Sequence, residues 1–281
     1  MKPGTLGIVG LGAIGGSVAW QAARAGVKRV IGYSPIPKEG VAAAKVGAVT
    51  EISADVERVL RLSDLVVIDL PPKQTIETLE RTAEVLVDRP GYCTDLASVK
   101  EPVVRKAGQL RLDRHFAGSH PLVDLQATGF EAARPDLLSG SIMYVTPLRN
   151  GEVAAAEIAD FWKRIVGAEP VILDAVIHDR TMAWTSHMPQ VVASALAFAL
   201  SKGGPKGVTY GQGALTTTEP AIADAGVWAE IILENKEHVL PALDALLADT
   251  GRIVADVEAG DAQRIRRWFE SGRRWRERLD G

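Results

Sequence analysis

Cysteine, histidine and aromatic residues are all scarce in this chain. Among its 281 residues the single cysteine is Cys93, so no internal disulfide can form, and a reducing compartment is expected. The five histidines and that thiol show neither H-x-x-x-H nor C-x-x-C spacing, which predicts no metal site. An excess of one charge is missing too. The 32 lysines and arginines against 35 aspartates and glutamates leave a net charge of −3, too little for a general pull toward nucleic acid or anionic lipid. No uninterrupted apolar run reaches the roughly 20 residues that a bilayer requires. The apolar N-terminus is broken by regularly spaced glycines and carries no A-x-A cleavage signal. These absences predict a soluble cytoplasmic protein without a nucleic-acid or membrane partner.

What is present is apolar material, 47% of the residues, ample for the two domains usual at this length. Short apolar runs at residues 5–10, 29–34 and 64–72 read as buried strands, and further strand ends fall in "GYCTDLASVK", "RHFAGSHPL" and "SIMYVTP". Helical spacing lies between most of them, for example at 75–87 and 152–166. Alternation of this kind predicts an α/β fold with a parallel, doubly wound sheet. After "AEPVILD" the pattern changes to long helical segments at 175–200, 227–247 and from 252 onward. The domain boundary is therefore expected near Asp174: residues 1–174 form one domain and 175–281 an all-α second one. Pro189 predicts a kink within the first long helix.

Gly10-Leu11-Gly12-Ala13-Ile14-Gly15 matches G-x-G-x-x-G directly after a strand and at the start of a helix, with a second strand following. In that context the motif predicts a Rossmann-type dinucleotide site, the helix N-terminus facing the phosphates. Gly10, Gly12, Ala13, Ile14 and Gly15 would line it, joined by Leu70 and Pro71 after the third strand and by Asp95. An NAD enzyme usually carries Asp or Glu at the tip of the second strand. Here Ser34 stands there with Lys38 nearby, which favours NADP over NAD.

Several segments resemble the prephenate and arogenate dehydrogenases: "TDLASVK" (94–100), "GSHPLVDLQATGFEAARPDLLSG" (118–140), "VTP" (145–147), "SHMPQVVASAL" (186–196) and "VWAEIILENK" (227–236). The matches keep the family's order along nearly the whole chain. The resemblance implies a Rossmann domain joined to an all-helical dimerisation domain, hence a homodimer, and a small-molecule substrate. It also implies that no regulatory or mutase segment is appended. The implied reaction is oxidative decarboxylation of a cyclohexadienol, prephenate or arogenate. His120 of "GSHPL" holds the position of the family's proton acceptor, a role suited to a neutral imidazole. Ser98 matches a serine that binds the same hydroxyl, and His187 a histidine that meets the substrate from the helical domain.

The chain departs from the family in "GALTTTEPAIADAGVW", where Glu219 occupies the position of an arginine that meets a substrate carboxylate. Gln190 replaces a histidine found in many members. Three readings stay open. Lys206, Lys202 or Arg134 serves the carboxylate instead, or the substrate presents an ammonium, as in arogenate or an amino-substituted prephenate. Otherwise the scaffold acts on another small hydroxy acid or imine. A non-catalytic NADP-binding sensor is the rival outside enzymology. The tail "RIRRWFESGRRWRERLDG" is expected to be an amphipathic helix with its aromatic face packed on the dimer.

Overall fold

In a computed structural model of the chain, residues 1–88, 90–123, 127–205 and 207–279 are described. Five strands, β1 (Thr5–Val9), β2 (Arg29–Tyr33), β3 (Glu51–Ile52), β4 (Leu65–Ile68) and β5 (Tyr92–Asp95), form a wholly parallel sheet in the order β3-β2-β1-β4-β5. Helices α1 (Ala13–Arg24), α2 (Pro37–Lys45), α3 (Val56–Leu62), α4 (Pro72–Arg81) and α5 (Ala83–Asp88) supply the connections. β1 and β4 are buried almost throughout, which is why their sequences run continuously apolar instead of alternating. One core face holds Leu6, Ile8, Val18 and Phe161; the other holds Val9, Val66, Leu79 and Phe116.

The rest of the first half departs from a single parallel sheet. After α6 (Glu101–Gln109), strand β6 (Ala117–Pro121) pairs antiparallel with β7 (Ile142–Pro147). Beyond α7 (Glu152–Phe161), β8 (Glu169–Ile172) runs parallel to β7. This three-stranded sheet meets the first through one bridge between Cys93 and Phe116. Trp162 is fully buried, and its indole N–H reaches Ser119 Oγ at 2.9 Å, so the seam is packed and hydrogen-bonded.

All described elements after β8 are helical. Asp174 caps α8 (Ala175–Met182), accepting the N–H groups of Val176 and Ile177. A π-helical turn, Ala183–His187, follows, and then α9 (Met188–Gly203). The kink expected at Pro189 thus takes the form of a widened turn just before it; Pro189 has no N–H to offer the Thr185 carbonyl four residues back. The chain continues through α10 (Gln212–Thr218), α11 (Ala225–Glu234), α12 (Lys236–Glu258) and α13 (Ala262–Glu277). The expected helix over 227–247 divides at Asn235, and its second part runs on past 252 to Glu258. Trp268, Phe269 and Trp275 of the tail helix are exposed on the isolated chain. Among the described residues no helix is long and apolar enough to cross a membrane, and no group of His, Cys, Asp and Glu is arranged for a metal.

Candidate active site

The turn between β1 and α1 shows why three glycines stand where they do. Gly10 has φ +102°, and a Cβ there would lie 2.0 Å from the Asp69 carbonyl oxygen. A Cβ on Gly15 would lie 2.1 Å from the Gly10 carbonyl oxygen, so this glycine lets the helix close on the strand. Gly12 differs. Its nearest neighbour would be Asp69 Oδ2 at 3.9 Å, so nothing in the protein demands glycine and the open space suits an approaching pyrophosphate. Ala13 is buried and Ile14 half-buried beside it. Asp69 Oδ2 accepts the Gly15 N–H at 2.6 Å, and burial pushes this carboxyl up to about 6.

At the tip of β2 the Ser34 hydroxyl has an acidic neighbour. Ser34 Oγ donates to Glu39 Oε2 at 2.6 Å, and Glu39 is only 7% exposed. A carboxylate therefore lies beside Ser34 after all, delivered from the first turn of α2. Lys38 is exposed, on the solvent side. A cavity beside this tip is lined by Tyr33, Pro35, Leu70, Gln74, Glu77 and Arg81, with Pro71 half-buried next to Leu70. Asp95, expected in the cofactor set, lies at the C-terminal end of β5. It is fully buried with Lys100, and the two form an ion pair with the Lys100 ammonium also donating to the Ser119 carbonyl at 2.9 Å. Burial pushes the Asp95 carboxyl up and the Lys100 ammonium down, each drawn partly back by the other. Lys100 is thus an interior residue.

His120, next to last in β6, is half-buried and meets the helical segments directly. Its Nδ1 lies 2.9 Å from Nε2 of His178 on α8, whose Nδ1 lies 2.7 Å from Asp179 Oδ1. The Tyr144 ring stands edge-on to His178, centroids 5.3 Å apart. Burial, then the neighbouring His178, Lys100 and His187, hold the His120 pKa well below the ordinary imidazole value. His187 sits in the π turn, 1% exposed, packed edge-on to Trp228, and burial takes its pKa to about 4. Asn235 Nδ2 reaches His187 Nδ1 at 2.9 Å and the Asp179 carbonyl at 2.8 Å. Ser98 is half-buried in the loop between β5 and α6, whose first N–H groups, those of Lys100 and Glu101, donate to the Asp179 carboxylate.

The structure therefore brings His120 and His187 into one cluster with three residues that the sequence reading passed over: His178, Asp179 and Asn235. The adjacent pair "HD" in a chain with five histidines was the available signal. Glu219 is exposed at the start of a 3₁₀ turn, Glu219–Ile222, which Gln190 ties to α9 by donating to the Pro220 carbonyl at 2.8 Å. Lys202 is held over the Phe198 ring at 4.2 Å, and Arg134 is exposed. Lys206 lies outside the described residues.

Comparison with known proteins converges on one family. Residues 18–171 match the family model described as prephenate dehydrogenase, nucleotide-binding domain. Residues 174–271 match the one described as prephenate dehydrogenase, dimerization domain. The chain is 28% identical to a prephenate dehydrogenase of Bacillus subtilis over 98% of its own length and 76% of that protein. It is 29% identical to a cyclohexadienyl dehydrogenase of Zymomonas mobilis, covering 96% of this chain and 94% of the relative. A crystal structure of prephenate dehydrogenase from Aquifex aeolicus superposes with a TM-score of 0.89 at 25% identity, over 99% of this chain and all of the other.

Proposed function

This chain belongs to the prephenate dehydrogenase family, and from that premise we propose that it oxidatively decarboxylates a cyclohexadienol, with His120 as proton acceptor. The observation that carries the reading is a neutral imidazole, kept neutral by burial, at the junction of the sheet and the helices. A nicotinamide dinucleotide, when bound, supplies the acceptor for the hydride leaving the hydroxyl-bearing ring carbon. Loss of carbon dioxide from the opposite ring carbon returns its electron pair to the ring, which becomes aromatic. His120 takes the hydroxyl proton as carbonyl character develops and returns it to the oxygen of the phenol. Ser98, half-buried in the loop between β5 and α6, binds the same oxygen in this reading. His187 approaches from the helical side. In this reading residues 1–174 bind the dinucleotide and residues 175–281 complete the substrate site and pair with a second copy.

The residues around the glycine turn fit a dinucleotide. Gly12 leaves space that no protein atom fills, and the N-terminus of α1 faces it. Ser34 and the buried Glu39 favour NAD, because a 2′-phosphate would meet a carboxylate where a ribose hydroxyl would donate to it. In the lining of the adjacent cavity the one cation among the described residues, Arg81, is accompanied by Glu77.

For the substrate, Glu219 favours a group that bears an ammonium, and so arogenate over prephenate. The proposed alternatives Lys202 and Arg134 are engaged over a ring or exposed. Steady-state assays of reduced nicotinamide formation with each substrate test both levels. Turnover of arogenate above prephenate is expected; turnover of neither overturns the reading.

A further inference from the structure

We propose that Asp179 and Asn235 set the tautomers of the two site histidines in opposite senses, so that His120 offers a bare Nε2 while His187 offers an Nε2–H. Asp179 is the starting point because its hydrogen bonds admit one direction. Its Oδ1 accepts the Lys100 N–H at 2.7 Å and its Oδ2 the Glu101 N–H at 2.8 Å. A carboxylate that receives two backbone donors is an acceptor, so the His178 Nδ1 that lies 2.7 Å from Oδ1 carries the proton. His178 is fully buried, and burial lowers its pKa. The ring is neutral, and its Nε2 is left without a hydrogen. His120 Nδ1, 2.9 Å away, must then be the donor. Neutral itself, His120 keeps a lone pair on Nε2.

The second lock runs through the backbone of the same residue. The Asp179 carbonyl can only accept, so the atom of the Asn235 amide that faces it at 2.8 Å is the nitrogen. The other hydrogen of that nitrogen points to His187 Nδ1 at 2.9 Å, which is therefore bare. A neutral imidazole with a bare Nδ1 has its hydrogen on Nε2. Asn235 is 2% exposed, so water does not compete for either bond. One residue of α8 thus governs both rings, His120 through its carboxylate and His187 through its carbonyl.

The chemical consequence rests on the function proposed above. His120 is a ready acceptor for a hydroxyl proton, and His187 a donor to an oxygen. When His120 takes the proton, its charge is shared through His178 toward the Asp179 carboxylate. The charged or titratable groups around His120 are His178 and Asp179 from α8, Tyr144 from β7, Lys100 and Asp95 from the β5–α6 region, and His187 from the π turn. The buried Lys100 ammonium is held by Asp95 and the Ser119 carbonyl, so the His178–Asp179 dyad is the stabilising contact for a protonated His120. His178 and Asn235 are positioning residues.

Two measurements decide this. Long-range nitrogen-proton spectra of the histidine-labelled protein, assigned with His120→Asn and His187→Asn, should show His120 protonated at Nδ1 and His187 at Nε2. The opposite tautomer at either ring overturns the proposal, whatever the substrate proves to be. In steady-state kinetics, His178→Leu should lower kcat about a hundredfold with KM little changed. His178→Gln, which keeps an acceptor, should recover most of the rate. Equal losses in both variants would reduce His178 to packing. Absence of turnover in the unmodified protein would sink the proposed reaction, while the spectra would still judge the tautomers.

Discussion

His120 and Glu39 show how much of a residue's role comes from neighbours distant in sequence. His120 is one of five histidines, and its environment lowers its pKa well below that of a free imidazole. A base whose pKa is depressed stays deprotonated as the pH falls. Activity should therefore hold through the ordinary imidazole range near 6.5 and fail only below it, which a kcat/KM profile against pH will read. His120→Asn should leave dinucleotide affinity unchanged and cut kcat by about a hundredfold or more; near-normal turnover would remove the assignment. Glu39 lies five residues beyond the strand tip where a discriminating carboxylate is expected, yet it holds the Ser34 hydroxyl. Glu39→Gln should raise kcat/KM for NADP relative to NAD by about tenfold, since a neutral amide no longer repels the extra phosphate. An unchanged ratio would place the discrimination elsewhere.

At the scale of the element, the glycine turn separates folding from binding. Gly15→Ala drives a Cβ to 2.1 Å from a backbone oxygen, so thermal unfolding should move down by several degrees and dinucleotide binding should fall with it. Gly12→Ala meets no protein atom closer than 3.9 Å. Its melting temperature without ligand should match the parent, while dinucleotide affinity drops at least about tenfold. Equal losses of stability in the two variants would mean that Gly12 is structural. The π turn of α8–α9 makes a different point. His178 and His187 are nine residues apart, which on a regular α-helix at about 100° per residue puts them on opposite faces. The widened turn at Ala183–His187 takes up roughly one extra residue and swings His187 back toward the Asp179 side. A helical wheel of the sequence therefore hides the constellation.

At the scale of the whole molecule, the helical half carries apolar surface that a single chain leaves open. Leu240, Leu247 and Val254 recur at seven-residue intervals along α12, each more than half exposed, the spacing of a helix-packing seam. With a second copy laid against it this stripe becomes buried, as the description of the matching dimerization domain suggests. Sedimentation equilibrium should give twice the chain mass, and Leu247→Glu should shift the protein to monomer. A monomeric parent protein would leave the stripe unexplained. The alternation of strands and helices, the glycine turn and the change to an all-helical second half were legible in the residues, because apolar runs, glycine spacing and helical periodicity are local signals. Even His120 could be singled out by the resemblance around it. The antiparallel pairing of β6 with β7, the burial of Lys100 against Asp95, the carboxylate beside Ser34 and the His120–His178–Asp179 chain belong to the tertiary structure alone. Each depends on which distant segments meet and which side chains lose water, and short-range patterning carries no record of either.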